Sequence, residues 1–187
     1  LGGNQYIDSG VVGRYEDYLI GEILPFLEQR LPVGGPGRRG VFGKSSGGFG
    51  AIVHGMRHPE IWAALACHSG DMAFELCYLH DLPTTLNELA KHERSIERFV
   101  QHFAGRDKPS EAEITALMIL AMAATYDPDP DPGRFLGLRL PCDLETGELI
   151  AERWDRWLAH DPARIVDGHA ESLRRLKAIY IDCGNVD

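Results

Sequence analysis

Apolar residues return every three or four positions across residues 14–31, where Tyr15, Leu19, Ile23, Phe26, Leu27 and Leu31 fall at helical spacing. That rhythm predicts an amphipathic helix with a kink at Pro25 and a stop at Pro32. Before it, residues 1–11 read as a glycine-rich loop carrying Asn4, Gln5, Tyr6, Asp8 and Ser9. After it the rhythm changes. A short apolar run at 39–42, a cluster of glycine and serine, a small-residue helical pattern at 46–59 and a second apolar run at 62–69 follow in turn. Strand, helix, strand predicts parallel pairing and a right-handed crossover.

The alternation then stops for about a hundred residues, which the α/β pattern accommodates as an insertion. Spacing predicts helices over 84–91, 95–104 and 110–126, a loop at 127–134 reading DPDPDPGR, and a two-stranded hairpin over 135–150 turning at Glu145, Thr146 and Gly147. A short amphipathic helix is expected at 151–160. A helix at 168–176 leads back to the sheet, and the apolar run at 177–184 suits a buried parallel strand. The expected organisation is one α/β domain, with a core at 1–71 holding a nucleophile elbow, a mostly helical cap insertion at 72–167, and a return to the core at 168–187.

The cluster between the two strands carries the candidate chemistry. Gly43-Lys44-Ser45 suggests a phosphate loop, but the spacing fails because the glycine such a loop requires would stand at Arg38. A flexible linker is excluded by the apolar runs on both sides. What fits is G-x-S-x-G, spelled Gly43-Lys44-Ser45-Ser46-Gly47, in which a strand ends, the chain turns sharply and a helix begins. Ser45 is then the candidate nucleophile. Ser46 is the residue whose backbone N–H can face a developing oxyanion.

Composition narrows the function classes. The 187 residues are 44% hydrophobic and 9% aromatic, ordinary for a globular domain with a sizeable core. A net charge of −9 argues against nucleic acid or an anionic membrane as partner, since either needs a basic surface. Cys67, Cys77, Cys142 and Cys183 lie far apart with no C-x-x-C, which favours buried reduced thiols over zinc or a disulfide framework. No stretch reaches the roughly 18 apolar residues of a membrane span, and no signal peptide opens the chain. The expected location is the cytoplasm. A homo-oligomer is compatible with this composition, and no cofactor is indicated.

The loop at 127–134 has three carboxylates but neither the glycine nor the distal glutamate of a calcium loop, so a solvated, extended segment is expected. The eight histidines form neither H-E-x-x-H nor a tight cluster, no metal is expected, and most read as surface residues. His68 differs, because His68-Ser69-Gly70-Asp71 follows a strand at the edge where open α/β sheets bind ligands. His68, Asp71 and Lys44 are pocket candidates, Lys44 as a guide for anionic substrates, while Glu75 stays ambiguous. Trp154, Trp157, Tyr15 and Tyr18 read as packing residues.

Taken together, GKSSGGFGA, HSGDMAFELCY, the helical insertion and YIDCGNVD give a chain that resembles the putative esterase family of α/β-hydrolases. That group includes esterase D, enterochelin esterases, feruloyl esterases and the mycolyltransferases, and the likeness runs from residue 13 to the end. The resemblance implies an open, mostly parallel sheet, incomplete at both ends, with further strands upstream and the catalytic histidine downstream. It places the triad acid at Asp187, with Asp182 as rival. The implied function is a serine carboxylic-ester hydrolase working through an acyl-enzyme on Ser45 with an Asp–His pair, the segment alone being inactive. An acyltransferase on the same scaffold, or a non-catalytic binding module, are the alternatives. A small-molecule ester is the implied partner.

Overall fold

The computed structural model describes residues 5–129, 131 and 133–185. In chain order the elements are β1 (Asp8–Ser9), β2 (Gly13–Arg14), α1 (Tyr15–Tyr18), a π-helical segment (Leu19–Ile23), α2 (Leu24–Arg30), β3 (Gly40–Lys44), α3 (Ser46–Arg57), β4 (Ala64–His68), α4 (Phe74–Cys77), α5 (Leu82–Ala90), α6 (Ile96–Ala104), α7 (Glu111–Tyr126), α8 (Ala151–Leu158), α9 (Pro162–Ile165), α10 (Ala170–Arg174) and β5 (Ala178–Asp182). They fall into two compact units. Among the described residues, a sheet unit holds 5–8, 14–73 and 161–185, and a helical unit holds 9–13 and the described part of 74–160.

In the sheet unit β3, β4 and β5 form a parallel sheet in that order. The register aligns Lys44 with His68 and His68 with Asp182 at the C-terminal ends of the strands. The strand carrying Val41 and Phe42, expected at the centre, is an edge among the described residues, and β4 lies in the middle. Side chains alternate across the sheet, so Leu65 and Cys67 of β4 are buried on the side taken by α3. There α3 contributes Phe49, Ala51, Ile52, Val53 and Met56 to the core. The opposite face is open, with Phe42 80% exposed.

The run at 177–184 predicts a buried strand, and β5 is instead exposed along its whole length. Among the described residues it has β4 on one side only, and its Ile179, Tyr180 and Ile181 are among the exposed large apolar residues. A continuous apolar run records what a strand could bury, not which neighbours it has.

The predicted first helix runs from α1 through the π segment into α2 and ends at Arg30, just short of Pro32. Pro25 does not break it. The proline stands in the first turn of α2, directly after the π-helical segment, so the departure from the ordinary helical ladder falls where Pro25 lacks an N–H. Tyr15 and Tyr18, expected to pack, are exposed. The buried residue of α1 is Glu16, whose carboxylate accepts from Arg57 Nη1 at 2.8 Å and pairs with His58 Nε2 at 2.6 Å.

The helical unit is built on α7, started by a capping box in which Ser110 Oγ accepts from Glu113 N and Glu113 accepts from Ser110 N. Against it Phe74, Tyr78, Tyr126 and Trp157 form an aromatic core, with ring centroids 4.8 to 6.1 Å apart. Trp154 and Trp157 are buried, as packing residues should be. The hairpin expected at 135–150 is reduced to one antiparallel bridge, Cys142 with Leu149. Asp143 Oδ1 takes the amides of Glu145 and Thr146, so a side chain satisfies the donors a longer ladder would use. Nor is the loop after α7 solvated throughout. Asp127 is buried, its carboxylate accepting from Arg139 and Arg156.

Candidate functional site

Everything that positions Ser45 follows from a strand and a helix meeting with a single residue between them. β3 ends at Lys44 and α3 begins at Ser46, so Ser45 alone makes the turn, at φ 54° and ψ −123°. A non-glycine residue in that region is strained and persists only where its surroundings hold it. Here the hold is steric and backbone-based. A Cβ at Gly43 would fall on the Gly47 backbone, and one at Gly48 would come within 2.7 Å of Gly70 Cα and 2.9 Å of the His68 carbonyl oxygen. Ser45 N–H donates to that same His68 oxygen at 3.0 Å.

The Ser45 side chain is exposed. Behind it the first amides of α3, Ser46 included, lie at a helix N-terminus where N–H groups lack intrahelical acceptors, and no side chain caps them. Such an end favours negative charge. A cleft of about 660 Å³ opens beside the turn, lined among others by Lys44, Ser45, Ser46, Tyr6, Phe42 and Trp62. Its walls are mostly apolar. Lys44, on the strand's last position, is exposed.

Two further loops crowd the start of α3, and both are strained. Gln5 and Tyr6 have φ of 48° and 60°, and Ser69 and Ala73 have φ of 43° and 54°. Tyr6 packs where Gly50 leaves room, since a Cβ there would lie 2.8 Å from the ring. Gln5 Nε2 donates to Asp71 Oδ2 at 2.8 Å, joining the two loops, and Asp161 Oδ1 accepts from Ala73 N at 2.9 Å. Strain of this kind gathers at functional sites.

His68 lies at the end of β4, half-exposed, with Nδ1 2.9 Å from Asp182 Oδ1 and 3.1 Å from Oδ2. Tyr180 OH donates to Asp182 Oδ2 at 3.1 Å, and that bond to a carboxylate raises the phenol above its usual range. So the structure groups Lys44, Ser45, Ser46, His68 and Asp71 around one end of the sheet unit. Asp187 lies outside the described residues, whereas its rival Asp182 is the last residue of β5, bound to His68. His54, one of the histidines read as surface, is 1% exposed. Burial pushes its pKa down against the pull of the Tyr6 carbonyl, which Nε2 meets at 2.8 Å.

Sequence reasoning missed the Gln5–Tyr6 loop, the Trp62 wall and the buried His54. Among the described residues no cluster of His, Cys, Asp and Glu could hold a metal ion, and no helix is long and apolar enough to cross a membrane. Cys67 and Cys142 are buried free thiols raised by burial, while Cys183 is exposed.

Sheet and turn together define a mixed α/β protein that presents a serine at the C-terminal end of a parallel strand. A family model described as "Putative esterase" matches residues 9–187, and the chain belongs to that family, which suggests a hydrolase acting on esters. No curated protein matches the chain closely enough to stand beside it as a relative.

Proposed function

We propose that the protein is a serine carboxylic-ester hydrolase whose nucleophile is Ser45. The observation that carries this reading is the left-handed φ of 54° at Ser45, a strained serine between a parallel strand and a helix N-terminus in a chain of the esterase family. Ser45 Oγ attacks the ester carbonyl carbon, and the carbonyl oxygen becomes an oxyanion facing the Ser46 N–H. Collapse expels the alcohol and leaves an acyl-enzyme on Ser45. Water then attacks the acyl carbon and releases the acid, restoring the hydroxyl.

A serine hydroxyl is a weak nucleophile at neutral pH, so a histidine must take its proton and return it to the leaving alcohol. In this reading Asp187 orients that histidine. In the same reading Lys44, His68 and Asp71 line the approach to Ser45.

Labelling by a serine-directed phosphonate tests the reading. In the full-length protein Ser45→Ala should abolish labelling and ester hydrolysis, whereas Ser46→Ala should keep both, because Ser46 contributes only its backbone. Parent-level hydrolysis by Ser45→Ala would sink the proposal.

A further inference from the structure

The bond between His68 and Asp182 has no evident work to do in holding the molecule together. Both side chains are more than a third exposed, at 40% and 44%, and ion pairs so open to water add little to stability. Its placement is more specific than its strength. The pair spans β4 and β5 at their last aligned position, in the row that ends with Lys44 beside Ser45. His68 is held at three points around this row. Its carbonyl oxygen accepts from Ser45 N, its neighbour Ser69 donates its N–H to the Asp182 carbonyl at 2.8 Å, and its Nδ1 meets the Asp182 carboxylate. Tyr180 OH also donates to that carboxylate, at Oδ2. The His68 ring also packs against the Tyr180 ring, with centroids 5.5 Å apart. Nε2 has no partner among the described residues.

We propose that His68 is a positioning residue for the reaction at Ser45, acting through Nδ1 and Asp182 to fix the peptide whose carbonyl holds the Ser45 amide. The inference rests on Ser45 being the nucleophile. A strained serine keeps its geometry only while its surroundings determine it, and the acceptor of its N–H is part of those surroundings. Letting the end of β4 drift changes little in the core, where Leu65 and Cys67 stay packed against α3. It changes the place of Oγ and of the Ser46 amide, and a displacement of about 1 Å at a reacting group can cost about a hundredfold in rate.

Isosteric substitutions separate this role from direct catalysis. Asparagine sets its amide nitrogen where His68 has Nδ1, and glutamine sets its nitrogen where Nε2 would be. In the full-length protein, His68→Ala should lower phosphonate labelling of Ser45 and kcat on p-nitrophenyl acetate by about 10- to 100-fold, with KM changed less than about threefold. His68→Asn should restore both to within about threefold of the parent. His68→Gln should resemble alanine, and Asp182→Ala, which leaves no side-chain acceptor for Nδ1–H, should show the same loss, which carries the test if His68→Ala does not fold. Rescue by glutamine but not asparagine would overturn the proposal in favour of Nε2 touching substrate. Unchanged kcat in both His68→Ala and Asp182→Ala would overturn it outright. A parent that does not label at Ser45 would instead refute the nucleophile itself.

Discussion

The two units of this chain hold their backbones in opposite ways. In the helical unit the buried mass is aromatic, with Phe74, Tyr78, Phe99, Tyr126 and Trp157 all at or below 3% exposure, and α7 begins with a complete capping box. Its left-handed non-glycine residues are Glu93, Arg94 and Leu136, which fall in connections between helices. In the sheet unit the left-handed residues are Gln5, Tyr6, Ser45, Ser69 and Ala73, and they gather in the three loops at the start of α3. Large side chains determine the first unit, and backbone contacts with no side chain between them determine the second. A scaffold stabilised by burial tolerates local adjustment. A site held by close backbone approach does not.

The largest effect is expected where that contrast predicts a loss confined to packing. Trp157→Ala should destabilise the helical unit by about 3 to 5 kcal/mol, the usual cost of truncating a fully buried aromatic. Hydrogen exchange should place the loss in 74–160 and leave the amides of α3 protected. Equal loss of protection in α3 would show that the units do not differ in what holds them.

Glycine replacement attacks the comparison from the other side. Gly48→Ala puts a Cβ against the Gly70 and His68 backbone, which cannot rotate away, so it should cost about 1 to 3 kcal/mol and slow phosphonate labelling at least tenfold. Gly105→Ala in the helical unit has φ −90° and nothing nearer than 3.6 Å. It should be neutral or stabilise by about 0.4 to 1 kcal/mol through the unfolded chain. If the two substitutions cost the same, close backbone approach is not what sets the turn.

Acid should separate the units by a smaller margin. Burial lowers the His54 pKa, so between its usual 6.5 and its lowered value the unfolded chain takes up a proton that the native chain refuses. The stability this gives the sheet unit is therefore present above about pH 6.5 and is lost as pH falls. In the helical unit the lowered groups are carboxylates. Glu113 is held at about 2 by the Ser110 amide and hydroxyl, so its contribution is lost only as pH falls from about 4.5 towards 2. Glu16 adds a carboxylate response to the sheet unit, because His58 and Arg57 outweigh the burial that would raise it. Urea melts between pH 7.5 and 5.5 should show protection falling first in α3, and His54→Gln should remove that early loss. An early loss of equal size in α7 would contradict the assignment.

What could be read from the chain follows the same division. Helical spacing located α5, α6 and α7 within a residue or two, because that signal is local. The turn at Ser45 was legible for a related reason, since glycines at 43, 47 and 48 mark where strand and helix approach. The exposure of β5, the collapse of the hairpin to one bridge and the burial of His54 were not legible. Each depends on partners distant in sequence: β5 on having β4 alone beside it, His54 on the Tyr6 carbonyl. The hydrogen bond from Gln5 to Asp71 spans 66 residues and leaves no mark in either local pattern. Asp187, the acid the family resemblance points to, falls outside the described residues.

The glycines around α3 carry a lesson for how such chains are recognised. Gly43, Gly48 and Gly70 are required by steric exclusion and not by reactivity, since each stands where a single added carbon would meet backbone or the Cys67 sulfur. A descendant that exchanged Ser45 for an inert residue would still need every one of them to fold. The spelling of the motif is thus a fossil of the scaffold that outlives the chemistry. A saturation library scored for solubility should return glycine at 43 and 48, and at 45 glycine and the few residues that bear a positive φ, with no preference for serine. The same library scored for turnover should return serine at 45 and little else, and only the second screen tells a working enzyme from its inactive descendants.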